Sequence, residues 1–196
     1  MTEAKFSMTS PTTSSVAAPR VSWKPIAVGV ALLALVIGSA YASVPLPYSP
    51  VPMTLQSLAV LMVGIWGGAR MGAAVLVSYL VLGVIGLPVF AGGQAAPGLA
   101  FFLRPTAGFL IAFVPAAFVA GWCMSRMASR FAGAFVAMSL GHVVIFAGGV
   151  SWLAAFLGFE RAIAVAFMPF ILGTLVKIAL GVALALALRP PRAWRA

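Results

Sequence analysis

Residues 73–90 read AAVLVSYLVLGVIGLPVF. Apolar side chains fall on every face of any regular element built from this run, whether its period is 3.6 or two. A membrane β-barrel strand alternates lipid-facing apolar with lumen-facing polar residues. This run does not alternate, so it reads as a helix surrounded by lipid and by other helices. Further runs reach the roughly 20 residues needed to cross a bilayer as a helix. The 196-residue chain is 63% hydrophobic and only 7% charged, against about 25% charged in soluble domains. The fold class expected is therefore an all-α integral membrane protein, a six-transmembrane-helix bundle.

The six spans are expected at roughly 25–43, 53–69, 71–89, 105–124, 131–150 and 163–188, together one membrane domain over 25–188. Residues 1–24 begin MTEAKFSMTSPTTSS, rich in Ser, Thr and Pro, and read as a disordered tail. Residues 189–196 read as a short basic tail. The connection SVPLPYSPVPM (43–53) carries four prolines, which block a regular helix and hold the backbone extended. The connection FAGGQAAPGLAFFLRP (90–105) is broken by Pro97 and Pro105, and its glycines allow close backbone approach.

The net charge of +10 comes from twelve basic residues scattered at the ends of apolar runs. A nucleic-acid surface would gather them on one face with interleaved aromatics, so no nucleic-acid partner is expected. Orientation in the bilayer explains them better. With the N-terminus inside, nine basic residues fall on the inner side, while Arg104 and Arg161 fall outside. That asymmetry places both termini in the cytoplasm. Ala40-Tyr41-Ala42 resembles a signal-peptidase site, but the long tail before the first span favours its retention. Cys123 is the only cysteine, so the chain can form no internal disulfide.

Lys177 belongs to neither side. It lies within the last apolar run, about 18 Å along a helix from Arg189, beyond easy snorkelling reach. The chain has only two acids, Glu3 in the tail and Glu160 beside Arg161 at the outer edge, so no span supplies a counter-ion. A ligand carboxylate entering from outside would supply one. The alternative is a neutral lysine bonded to backbone carbonyls where Pro169 and Gly173 loosen the helix. Gln56, Ser57, Tyr79, Thr106 and Thr174 offer an amide and hydroxyls for a polar heterocycle, Thr174 one turn before Lys177 on the same face. For any one of them alone, a helix–helix hydrogen bond is the better reading. His142 reads as a packed histidine with a single hydrogen bond. Trp152 reads as an interface marker or, alternatively, a ligand-stacking surface.

No span contains a carboxylate, no His/Cys/acid cluster suggests a metal, and no Gly-x-x-x-x-Gly-Lys phosphate loop is present. No cofactor and no enzymatic activity are expected, and concentrating a solute would need energy from a partner or an ion gradient.

Four pieces carry a family resemblance: PVPMTLQSLAVLMVG (50–64), YLVLGVIGLPVFAGG (79–93), PTAGFLIAF (105–113) and PFILGTLVK (169–177). In this order and spacing the chain resembles BioY, the biotin-binding S component of energy-coupling factor transporters, over nearly all of 25–188. The resemblance implies a protein of the bacterial inner membrane that captures biotin from outside beneath covering loops. It implies a membrane coupling subunit and two ATPase subunits as partners, although some members are thought to act alone, and it leaves a homo-oligomer open. Lys177 matches the lysine that ends the family's P-F-x-x-G-D-x-x-K pattern. Thr174 stands where that pattern has aspartate, which removes an acceptor for the biotin ureido N–H groups and a counter-ion for Lys177. RPTAGF (104–109) stands where the family more often has G-P-T-G-G-Y. The site expected on these grounds comprises Lys177, Thr174, Gln56, Tyr79, Gly92, Gly93, Thr106 and Trp152. Ala27 and Ala31 form a small-xxx-small face of the type that docks the coupling subunit. An S component for another vitamin and a structural membrane protein are the competing readings.

Overall fold

In the computed structural model the described residues are 23–47, 49–94 and 96–188. The tails expected at 1–24 and 189–196 lie outside them, except that Trp23 and Lys24 already belong to the first helix. The elements are α1 (Trp23–Tyr41), β1 (Ser43–Val44), β2 (Met53–Thr54), α2 (Gln56–Gly67), α3 (Ala69–Val84), α4 (Ala107–Arg126), α5 (Arg130–Leu157), α6 (Phe159–Ala166) and α7 (Ile171–Ala187). As expected, the membrane part is a helical bundle of six apolar segments, with α6 and α7 sharing the sixth. Four stretches are long and apolar enough to cross a bilayer, namely α1, α4, α5 and the α6–α7 stretch; α2 and α3 are shorter.

The boundaries differ from expectation where apolarity alone set them. The second span was expected to begin at 53, but Met53 and Thr54 pair antiparallel with Val44 and Ser43. The prolines between them cannot continue a helix, so the chain folds back as a small hairpin. The third helix stops at Val84, before Gly86 at φ 106° and Pro88. The fifth helix runs on to Leu157 and ends at Gly158, whose φ of 80° favours glycine. The sixth span is not continuous: Pro169 sits in a 3-10 turn, Met168–Phe170, between α6 and α7.

Helix α4 is the centre of the bundle. Its buried face carries Ala107, Gly108, Ala112, Ala116, Ala117, Ala120 and Gly121. Without a hydrophobic drive between helices in lipid, small residues let backbones approach and gain dispersion contact. At one junction, α2, α3 and α4 meet through Gly64, Gly72 and Gly121. A Cβ built on Gly72 would lie 2.9 Å from Gly64 Cα, and one on Gly121 would lie 2.7 Å from Gly64 O. Helices α2 and α3 reverse direction on the single residue Gly68, at φ 80°.

Two sets of hydrogen bonds mark the bundle's ends. At one end, Arg130 Nη2 donates to Ala185 O of α7 (2.6 Å). At the opposite end, Tyr41 Oη donates to Pro88 O (2.6 Å) and Gly92 N to Ala40 O (3.3 Å), fastening the loop after α3 to the end of α1.

Candidate functional site

With 12 residues, α2 spans about 18 Å, well short of the roughly 30 Å hydrocarbon core. Its C-terminus ends at the Gly68 turn at one end of the bundle, so its N-terminus at Gln56 stops at mid-depth. The space above it is occupied by the β1–β2 loop and the loop after α3. Between these loops and the inward faces of α4, α5 and α7 lies a cavity of about 320 Å³, within the range of about 300–1,000 Å³ usual for small-ligand sites.

Three helices bring polar side chains to one level. Ser57 lies ten residues from the end of α2, Lys177 ten residues from the end of α7, and His142 twelve residues into α5. At 1.5 Å per residue, each is about 15–18 Å from the helix end on the side of the Gly68 turn. Lys177 Nζ donates to Ser57 Oγ at 3.0 Å. The sole acid among the described residues, Glu160, is exposed on α6. Lys177 therefore faces the cavity with a hydroxyl partner and no carboxylate among the described residues.

Gln56 is 2% exposed, so its buried amide must be satisfied. Its Nε2 donates to Tyr79 Oη at 2.6 Å, and Tyr79 Oη donates onward to Val89 O at 3.1 Å. Phe90 packs edge-on against the Tyr79 ring. This relay holds the loop after α3 to the start of α2, and Gln56 itself lines the cavity. Phe109, Phe113, Phe146 and Phe170 give the cavity an apolar waist. At the mouth, Arg104, Pro105 and Thr106 face Thr54 and Gln94. Trp152 Nε1 donates to Arg104 O at 3.1 Å and ties this segment to α5.

Of the residues singled out from sequence, Lys177, Thr174, Gln56, Ser57 and Thr106 line this one cavity. Tyr79 lies behind it, fully buried, and acts on it through Gln56. Gly92 and Gly93 are not on its wall; their positive φ values, 70° and 74°, turn the loop so that Ala91 and Gln94 are. Trp152 likewise does not line it, and reaches it through the Arg104 carbonyl. Ala27 and Ala31 lie far from it, exposed on α1.

Two lining residues were missed. Arg104 was read as an outer topology charge, and its place just before Pro105-Thr106 was the available signal. His142 was read as a packed histidine with a single hydrogen bond, which it makes to Met138 O, but it also lines the cavity, and its depth in an apolar run matches that of Lys177.

Comparison with known proteins identifies the family and the fold. The chain matches the BioY family over residues 11–193. It is 43% identical to the biotin transporter BioY of Rhizobium etli over 142 residues, 67% of this chain and 74% of that protein. It is 37% identical to a probable biotin transporter BioY of Pyrococcus horikoshii over 158 residues, 80% of this chain and 93% of that one. The crystal structure of the S component for biotin from an ECF-type ABC transporter superposes with a TM-score of 0.74 at 25% identity, covering 83% of this chain and 88% of that one.

Proposed function

The chain belongs to the BioY family, and from that premise we propose that it is a membrane S component that captures biotin from the outer side of a bacterial inner membrane. The observation that carries this reading is the cavity itself, with a cation at each end, Lys177 at depth and Arg104 at the mouth, and an aromatic waist between them. Biotin has the matching sequence of parts: a carboxylate on a flexible chain, an apolar sulfur ring and a cyclic urea.

The ring end goes down. A carboxylate costs more to dehydrate than a urea, so it is best left near the wetter mouth beside Arg104. The urea carbonyl then accepts from Lys177, a charge-assisted bond stronger than a neutral one. Lys177 and Ser57 act as donors at the floor, and Gln56 and Thr174 add amide and hydroxyl groups. Tyr79 and Trp152 position Gln56 and Arg104, and Gly92 and Gly93 shape the loop that covers the mouth.

The same reading includes partners and orientation. Ala27 and Ala31 present small side chains on an exposed face of α1, which suits close approach by a coupling subunit carrying two ATPase subunits. The excess of basic residues at the inner ends supports cytoplasmic termini. The chain is a transport subunit and not an enzyme.

Native mass spectrometry of the protein purified from biotin-containing medium tests the reading, with radiolabelled biotin uptake alongside. Co-purified biotin and uptake dependent on this chain are expected. A chain that binds no biotin in titration after mild stripping would overturn the assignment.

A further inference from the structure

His142 is 3% exposed in the middle of α5 and lines the cavity. Its Nδ1 lies 2.8 Å from Met138 O. A carbonyl only accepts, so Nδ1 carries the hydrogen, and in the neutral ring Nε2 is left as an acceptor. A protonated ring would place a third cation in a cavity that already holds Lys177 and Arg104 and has no acid on its wall among the described residues, at high cost. Nε2 is buried and makes no hydrogen bond among the described residues. Buried acceptors are rarely left unpaired, because the desolvation cost is not recovered.

Thr174 sharpens the question of what pairs with this nitrogen. A hydroxyl there accepts less strongly than a carboxylate, and no acid lines the cavity among the described residues. A cyclic urea presents N–H donors that need acceptors at the level where Lys177 and Ser57 take its carbonyl. His142 reaches that level from a different helix.

We propose that His142 Nε2 accepts a hydrogen bond from a ring N–H of the bound urea, and that His142 thereby selects ligands that keep a donor at that position. The proposal rests on the biotin reading above and deepens it. Lys177 recognises the carbonyl edge and His142 an N–H edge, so the floor distinguishes a cyclic urea from rings of the same shape that lack either. The Nδ1–H bond to Met138 O fixes the tautomer, so Nε2 is already an acceptor before the ligand arrives.

The test titrates biotin, and biotin methylated at one or the other ureido nitrogen, into purified wild type, His142→Phe and His142→Gln, with thermal melts of each without ligand. His142→Phe fills the same space without an acceptor, whereas His142→Gln restores an amide oxygen near the Nε2 position. Biotin should bind His142→Phe on the order of tenfold more weakly, since an N–H of the ligand loses its partner, and His142→Gln should recover part of the loss. One N-methyl analogue should bind wild type and His142→Phe nearly equally, because the bond is already gone. Wild-type affinity for biotin in a folded His142→Phe overturns the proposal while leaving the biotin reading intact. The same loss for biotin and for both N-methyl analogues also overturns it, as that marks a packing role. If wild type itself binds no biotin, both readings fall together. Should His142→Phe melt far below wild type, His142→Gln decides: full loss of biotin affinity in a folded His142→Gln counts against the acceptor role.

Discussion

Lys177 of α7 donates its ammonium to the Ser57 hydroxyl of α2 across 3.0 Å, joining two helices at mid-membrane without a carboxylate between them. A neutral hydroxyl does not neutralise a cation. The pair holds the side chain toward the cavity and leaves hydrogens on Nζ for a ligand. Lys177→Met keeps the length and removes the charge. Loss of a dehydrated charged partner should cost about 2–5 kcal/mol of biotin affinity, at least tenfold in Kd at about 1.4 kcal/mol per decade. The ligand-free variant should melt no lower than wild type, because an unpaired cation has left an apolar interior. Isothermal titration and thermal melts read both effects. Unchanged affinity in a folded variant would remove Lys177 from the site.

The α2–α3–α4 junction makes a prediction about stability alone. A methyl at Gly121 would sit 2.6 Å from the Gly68 carbonyl carbon and 2.7 Å from Gly64 O, both backbone atoms that cannot rotate away. Gly121→Ala should therefore destabilise the fold by about 1–3 kcal/mol, the usual cost of overpacking. Gly29→Ala is the control, since a Cβ there meets nothing within 4 Å. Melting temperatures in detergent should fall for the first and hold for the second. Equal melting temperatures would mean that the helices do not pack this closely.

Much of this was legible in the sequence, for a physical reason. Apolar runs longer than a bilayer's core have few folds open to them, and a lysine deep in one is conspicuous because its burial is costly. Lys177 and Thr174, spaced one turn apart, could be placed on one face before any coordinates. The shortness of α2 was not legible. Residues 53–67 contain no proline and no charge to mark a boundary, and only the pairing of Met53 and Thr54 with β1 sets the helix start at Gln56. A similar lack of markers hid His142: where a helix is apolar all round, periodicity does not tell a wall of the cavity from a helix contact. Arg104 was obscured because the positive-inside count gave it a sufficient explanation already.

Coupling to a partner should separate from ligand binding on α1. Leu32, Val36 and Ala40 bury one side of this helix against the bundle, while Ala27 and Ala31 stay exposed. Leucine at either alanine would leave the core untouched and block close approach from outside. Ala27→Leu and Ala31→Leu should bind biotin as wild type does when purified, yet fail to co-purify with a coupling subunit or to support energised uptake. Loss of biotin binding in these variants would show that this face serves the bundle itself. Full uptake with partners present would put docking elsewhere.

The mouth of the cavity should read the ligand's charge. Arg104 is half-buried beside Thr106, and its backbone is held by the indole N–H of Trp152 at 3.1 Å. If the carboxylate of biotin rests there, wild type should prefer biotin to biotinamide, and Arg104→Gln should lose most of that preference. The loss should be about tenfold for biotin and small for the amide, since only the former gives up a charge-assisted bond. Trp152→Phe removes one neutral hydrogen bond, worth about 1 kcal/mol, and keeps the guanidinium, so its effect should be smaller and of the same sign for both ligands. Competition binding with the two ligands on the three proteins gives the ratios directly. A preference that survives Arg104→Gln but disappears in Lys177→Met would invert the ligand, with its carboxylate at the floor and its urea under the loops. That result would also move the site of N–H recognition away from His142, so the two ends of the cavity are tested against each other.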